Sequence, residues 1–288
     1  MKKTGVIFFC WAWIAGNCPG AVNFSYLNNP AGARPAGMAE AFTGMPGNID
    51  GLFYDPAALS GIKHTTLSFS HIEFLQGVRY EYAVAAIPLA GAVLGAGAVY
   101  VNNGVQERRD INGVVTGDFT PYQIIPQLTV AAELLKDISL GLSFKLPYEV
   151  IDDYSNYKPF FDIGINAKVI EHLYAGASAR NLGTSENTPA EFRAGLAYTG
   201  TELNLCADLM NIPEQGNSTF SVGLEVKAIE LLVLRAGYRY KFGAANDTLE
   251  GLTAGFGVRF DTLALDYGYK LYDVLGATHF FSLTIVIN

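Results

Sequence analysis

Three arginines carry the most suggestive chemistry in this sequence. Arg235 and Arg239 share one face of Leu231–Phe242, a segment with two-residue periodicity, and Arg259 lies on the matching face of the next such segment, Thr248–Phe260. Guanidinium forks on neighbouring strands converge, and a converging set binds a carboxylate through paired, charge-assisted hydrogen bonds. The same face carries further charges of both signs, assigned by alternation: Arg79, Glu81, Glu133, Lys145, Asp162, Lys168, Arg193, Asp208, Glu225, Lys227, Asp266 and Lys270. Mutual pairing that braces the fold is therefore a competing role for the same arginines. A second feature is mechanical. Gly95 and Gly97 thin one face of a strand, and Pro126 removes a donor from the next, a combination that marks kinks or bulges.

Catalytic chemistry has little to stand on. His64, His71, His172 and His279 fall on different segments without the spacing of paired metal ligands. No G-x-S-x-G turn, phosphate-binding loop or cysteine cluster occurs. The reading is no enzyme, no cofactor and no metal.

The elements that hold these residues are strands. From Lys63 onward the chain breaks into fourteen segments of alternating polarity separated by turns: Lys63–Ile72, Gly77–Pro88, Val93–Asn103, Tyr122–Leu134, Ile138–Tyr148, Phe160–Ile170, Leu173–Leu182, Ala190–Thr199, Glu202–Asn211, Asn217–Lys227, Leu231–Phe242, Thr248–Phe260, Leu263–Leu271 and Ala277–Asn288. In Phe160–Ile170 the apolar face reads Phe161, Ile163, Ile165, Ala167, Val169 against Asp162, Gly164, Asn166, Lys168. A two-sheet sandwich would alternate in the same way. The apolar face here is uninterrupted, however, while the other holds small residues and both charge signs, which suits lipid outside and a wet lumen inside. Very short links such as Lys136-Asp137, Glu171-His172 and Asp261-Thr262 alternate with longer ones, of which Gly104–Pro121 is the longest. That is the pattern of a transmembrane antiparallel β-barrel of about fourteen strands, with short periplasmic turns, longer external loops and both ends periplasmic. Tyr80, Tyr82, Tyr238, Tyr240, Tyr267 and Tyr269 are read as outward-facing rings at the membrane interface, although β-propensity alone accounts for part of them.

With 288 residues, 50% hydrophobic and 16% charged, the chain is apolar yet has no run of about 20 apolar residues that would make a spanning helix. Gly5–Gly16 follows Lys2-Lys3 and precedes small residues, so residues 1–20 read as a signal peptide for the general secretory route; a lipidated Cys18 is the alternative. Cleavage removes Cys10 and Cys18 and leaves Cys206 alone. It also removes two of 19 basic residues, leaving 17 against 27 acidic and a formal charge of −10. With no basic run, nucleic acid is not an expected partner.

Residues 21–62 differ from the rest. They are rich in Gly, Ala, Pro and Asn, and Asp55 can cap a short helix that has Pro56 at its first position. They read as a small N-terminal helical plug inside a barrel of residues 63–288, with a periplasmic tail as the alternative. The stretch G-A-R-P-A-G-M-A-E-A-F-T-G (Gly32 to Gly44), followed by G-L-F-Y-D-P-A-A-L-S (Gly51 to Ser60), resembles the N-terminal signature of the FadL-type outer-membrane transporter superfamily, nearest its shorter PorV/PorQ-like branch. Gly32, Arg34, Gly37, Asp55, Pro56 and Ala57 carry the likeness, with Asp55 standing where the family pattern has asparagine.

The resemblance implies an outer-membrane channel for passive uptake of hydrophobic small molecules such as long-chain fatty acids, inserted by the barrel-assembly machinery and surrounded by outer-membrane lipid. It also implies a lateral opening at Gly95, Gly97 and Pro126, and a fatty-acid carboxylate partner for Arg235, Arg239 and Arg259. A PorV-like role in secretion or surface attachment, with a protein partner, is the alternative, and a structural or adhesive surface protein is a third reading.

Overall fold

A computed structural model of the chain describes residues 27, 30–183, 188–243, 251–272 and 276–287. The expected signal peptide and its cysteines, and the terminal Asn288, lie outside the described residues. In chain order the elements are two short helices, α1 (Ala33–Gly37) and α2 (Gly51–Tyr54), a 3-10 helix at Pro56–Gly61, and then strands. These are β1 (Thr65–Glu73), β2 (Arg79–Leu89), β3 (Ala92–Asn102), β4 (Gln106–Arg109), β5 (Val115–Phe119), β6 (Tyr122–Leu135), β7 (Ile138–Lys145), β8 (Tyr148–Ile151) and β9 (Tyr154–Tyr157). They continue as β10 (Phe160–Ile170), β11 (Leu173–Leu182), β12 (Glu191–Thr199), β13 (Leu203–Ile212), β14 (Asn217–Ile229), β15 (Leu232–Lys241), β16 (Leu252–Arg259), β17 (Leu263–Leu271) and β18 (Ala277–Ile287).

Fourteen of these strands form one closed antiparallel ring. β1 pairs with β18, so the last strand zips against the first, and β3 pairs directly with β6. β4–β5 and β8–β9 are hairpins in the longer loops, and Arg108 of the first pairs with Asp152 beside the second. Closure leaves no edge and pairs the backbone groups within the wall, which hydrocarbon demands. The alternation then sorts side chains. In β10 the outward Phe161 is 53% exposed while the inward Asp162 is 1% exposed. Leu128, Val130, Leu142, Leu205 and Leu224 repeat the outward pattern on other strands. Large exposed hydrocarbon around the ring, with polar groups buried inside, is the inversion expected of a membrane barrel.

Two assignments are corrected. Tyr80 and Tyr82 point inward and are buried, and Arg79 and Glu81 point outward. The Tyr82 ring stands edge-on to Phe53 at 5.2 Å, and its hydroxyl donates to the Pro30 carbonyl, so this strand's phase is set by the interior. The expected strand Ile138–Tyr148 ends at Lys145, and Leu146-Pro147 breaks the run before β8.

Candidate functional site

The lumen is occupied by residues 30–62, and its wall is built to receive a backbone. Four inward glycine pairs face each other across neighbouring strands: Gly141 with Gly164, Gly176 with Gly195, Gly223 with Gly237, and Gly255 with Gly268. A methyl group at Gly223 would lie 2.6 Å from the Met38 carbonyl oxygen, one at Gly237 2.5 Å from the Ala39 nitrogen, and one at Gly268 2.7 Å from the Ala33 carbonyl. At Gly141 and Gly176 the obstruction is Pro56-Ala57 and the Thr43 carbonyl. The wall is thin where the inner segment passes.

Polar side chains of the wall then satisfy that segment's backbone, which has too little regular structure to satisfy itself. The Asp208 carboxylate accepts from the amides of Phe42 and Thr43 at 3.0 and 2.9 Å and from the Thr43 hydroxyl at 2.5 Å. The Ala33 amide donates to Ser282 Oγ and the Ala39 amide to Thr253 Oγ1, both at 2.9 Å. Gln127 and Ser178 donate to the carbonyls of Leu52 and Tyr54.

Charge supplies the strongest links. Glu40 lies on the inner segment, 2% exposed, with Arg239 at 2.8 Å, Lys270 at 3.1 Å and Arg193 at 3.7 Å. Burial alone would raise its carboxyl, but Arg239, Lys270 and Arg193 outweigh that and hold it well below the usual carboxylate range. Ala39 and Glu40 both have left-handed backbones, φ 52° and 60°, at a cost of about 1–2 kcal/mol each. The wall contacts on both sides of the pair offset that strain. Nearer the short-turn end, Arg34 grips Glu225 with two bonds of 2.9 and 2.8 Å, and Arg235 reaches the same carboxylate at 2.6 Å.

The sequence-derived residues are placed as follows. Arg34 makes that fork; Gly32 precedes the first helix and Gly37 is its last residue, against Gly255 of the wall. Asp55 Oδ1 accepts from the Ala57 amide at 3.0 Å and caps the 3-10 helix that Pro56 opens. Its other oxygen faces the Asn166 amide at 3.4 Å, and burial raises this carboxyl well above its ordinary value. Arg235, Arg239 and Arg259 do not form one open patch. Arg235 spans Glu225 and Asp266, Arg239 serves Glu40, and Arg259 meets Asp266 at 2.7 Å. Gly95 faces inward, where a methyl would meet Leu59 at 2.7 Å and Leu52 at 3.1 Å. Gly97 sits against Val84. Pro126 turns its backbone towards β7, accepting from the Leu146 amide, so its missing donor costs the β3–β6 ladder nothing. That ladder runs in register from Val93–Ala131 to Asn102–Tyr122, and the wall is closed there.

Glu40, Glu191 and Arg180 escaped sequence reasoning, as did Asp50. Asp50 borders a cavity of about 420 Å³ at the short-turn mouth, beside Arg34, Arg259, Lys63, His64, Asp261 and Asp266. Burial pushes its carboxyl up to about 7 despite Arg34.

Fold and site together define a plugged, fourteen-stranded membrane barrel. Solved structures share this architecture. The toluene transporter TbuX of Ralstonia pickettii is 12% identical over 90% of this chain and 98% of its own, with a TM-score of 0.65. The toluene transporter TodX of Pseudomonas putida is 14% identical over 89% and 96%, at 0.63, and a FadL homologue of Pseudomonas aeruginosa is 13% identical over 88% and 97%, at 0.60. The chain therefore has the FadL-type transporter fold, a likeness of fold at these identities. No protein-family model and no curated protein matches the sequence.

Proposed function

We propose that the protein is an outer-membrane channel for passive uptake of hydrophobic small molecules, with long-chain fatty acids and monoaromatic hydrocarbons as the candidate classes. One observation carries this reading: a lipid-facing barrel closed around a wall-bound plug matches, over about nine-tenths of its length, solved toluene transporters. Membership in the outer membrane, export by the secretory route and insertion by the assembly machinery follow from the same reading.

For a fatty acid, Arg259 is the carboxylate contact most open to exchange, since its side chain is 28% exposed against 0% for Arg235 and 12% for Arg239. A ligand carboxylate there competes with Asp266. Release is lateral, by separation of β3 from β6 beside Gly95 and Gly97.

Ala98 and Pro126 face each other as a non-hydrogen-bonded pair, with a Cα separation of about 4.5 Å for such pairs, inside the range a disulfide spans. Cells lacking their own transporter and expressing Ala98→Cys with Pro126→Cys should take up labelled toluene or oleate when reduced and lose uptake when oxidised. Equal uptake in both states refutes the lateral route. Absence of uptake of every hydrophobe by the correctly assembled native chain refutes the channel, and a copurifying protein complex would favour the secretion role.

A further inference from the structure

The register sets the lipid-facing side chains from β16 round to β6 in level rows. Nearest the longer loops runs a polar row, His279, Glu73, Arg79 and Asn102, which suits the headgroup level. The next row, one step into the hydrocarbon, is mostly rings: Phe256, Tyr267, Phe281 and His71, then Glu81 and Tyr100. The first four have successive ring centroids 5.4, 5.3 and 6.3 Å apart, inside the span of about 4.5–7 Å that favourable aromatic pairs adopt. The line of rings breaks at Glu81 and resumes at Tyr100. Beside that break the wall is low. The third row reads Phe69, Ala83, Ala98 and Pro126, and Ala85 and Ala96 follow one step further in. Phe69 on β1 and Pro126 on β6 are three strand spacings apart, about 14 Å, with only methyl groups between them in that row. A groove of about 750 Å³ opens to the membrane here, bordered by Phe69, Tyr100, Ile124 and Phe281 with Ala83 and Ala98 as its floor. That volume falls within the range of about 300–1,000 Å³ common for small-ligand clefts.

The surroundings decide what such a groove can select. Acyl chains fill it by default, and lipid tails are as apolar as its walls. An aliphatic guest therefore exchanges like for like and gains nothing over the lipid it displaces. A ring gains more. Phe69, Tyr100 and Phe281 are 47%, 38% and 48% exposed around the hollow, and one ring–ring contact adds, beyond area burial, about two- to twelvefold in affinity. A rigid ring also gives up no torsional freedom in the hollow, whereas an acyl chain does. The floor belongs to β3, whose ladder with β6 is the seam of the lateral route, so a hydrophobe crossing there emerges onto it.

We propose that this outer-wall hollow is a binding site for a hydrocarbon bearing one aromatic ring, seated over Ala83 and Ala98 between Phe69 and Tyr100. Its place as the receiving site of the lateral route rests on the uptake reading; the binding itself does not. The two tryptophans of the sequence, Trp11 and Trp13, lie in the expected signal peptide, so the processed chain accepts a single reporter. Tyr100→Trp places one at the hollow, and Phe192→Trp places the same indole on the lipid face of β12, far round the ring. Each chain is reconstituted into dioleoyl phosphatidylcholine nanodiscs, and quenching by 4-bromotoluene is compared with quenching by 1-bromoheptane at equal membrane concentration. The aromatic quencher should exceed the aliphatic one about threefold more at Tyr100→Trp than at Phe192→Trp, the scale of one ring–ring contact. Phe69→Leu, which keeps bulk and removes the ring, and Ala83→Leu, which fills the floor, should each lower that excess. An equal ratio at the two reporters overturns the proposal, as does an excess that either substitution leaves unchanged. Quenching is read at equilibrium without transport, so failure of uptake leaves this result standing, and failure of the site leaves the uptake assay intact.

Discussion

Replacing Glu40 with glutamine should release the inner segment while leaving the barrel closed. The carboxylate is buried and meets Arg239 at 2.8 Å, Lys270 at 3.1 Å and Arg193 at 3.7 Å. Glutamine keeps the shape and one acceptor but removes the charge. Arg193 retains Glu191 at 2.6 Å, whereas among the described residues Arg239 and Lys270 have no other ion pair. Removing one partner of a buried ion pair costs about 3–5 kcal/mol, because the remaining charge stays buried without compensation. The ladders that close the ring do not involve Glu40, so the loss falls on docking of the segment. At about 1.4 kcal/mol per factor of ten, 3 kcal/mol weakens docking more than a hundredfold. Hydrogen exchange reads this directly, since the amides of Ala33, Ala39, Phe42 and Thr43 donate to wall side chains. They exchange only when the segment lifts, so Glu40→Gln should speed all four by about a hundredfold while strand amides stay protected. Adding Lys270→Met, which removes one stranded cation, should recover part of the protection. Unchanged exchange at these amides in Glu40→Gln would show that the cluster does not hold the segment.

Two further outcomes follow from the same contacts. Gly176→Ala and Gly237→Ala each force a methyl into the segment's backbone, at the Thr43 carbonyl and the Ala39 amide, and should cost about 1–3 kcal/mol of docking, with exchange rising first at the neighbouring residue. Docking should also depend on pH through Asp50, whose carboxyl is raised by burial from 3.8 to about 7 when docked. A raised carboxyl favours the docked form while protonated, so Asp50's contribution is full near pH 4 and fades as pH rises to 7, then levels, whereas the depressed Glu40 carboxyl works oppositely and loses its contribution as pH falls below its ordinary range. The groups facing Asp50 are Arg34, Arg235, Arg259 and Asp266. Asp50→Asn should remove this pH dependence of exchange at Ala33; its persistence would place the titration elsewhere.

Much of the wall was legible because lipid enforces a two-residue rule. Phe160–Ile170, Leu173–Leu182 and Leu263–Leu271 have the bounds their alternation suggests. The rule failed in β2, where outward Ala83 and Ala85 offer no bulk to contrast with the inward face, and where tyrosines that suit an interface instead pack on Phe53. The Glu40 cluster was not legible, because its partners lie 153 to 230 residues away and nothing local marks them. The glycine pairs were visible only as a generally small inward face. Their purpose depends on cross-strand register, which alternation within one strand does not contain. The three arginines were placed on the correct face, but their carboxylates belong to the protein itself.

The wall and the segment it encloses form a single core, and that constrains how anything passes. Expelling the segment would strip Glu40 from Arg239 and Lys270, Arg34 from Glu225, and the Phe42 and Thr43 amides from Asp208. Together these amount to on the order of 10 kcal/mol before any apolar burial is counted. Moving β3 locally leaves these ion pairs intact but opens a ladder of paired backbone groups. Its inward Gly95 contacts the segment through Leu52 and Leu59, which make no ion pair, and the adjoining ladder already contains Pro126, whose side chain faces lipid. Barrel strands are held by hydrogen bonds that cost several kcal/mol each to expose to hydrocarbon, yet a hydrophobe entering the gap replaces lipid with like material. The Ala98–Pro126 staple tests the proposed lateral route against expulsion, because it locks the wall without touching the Glu40 cluster.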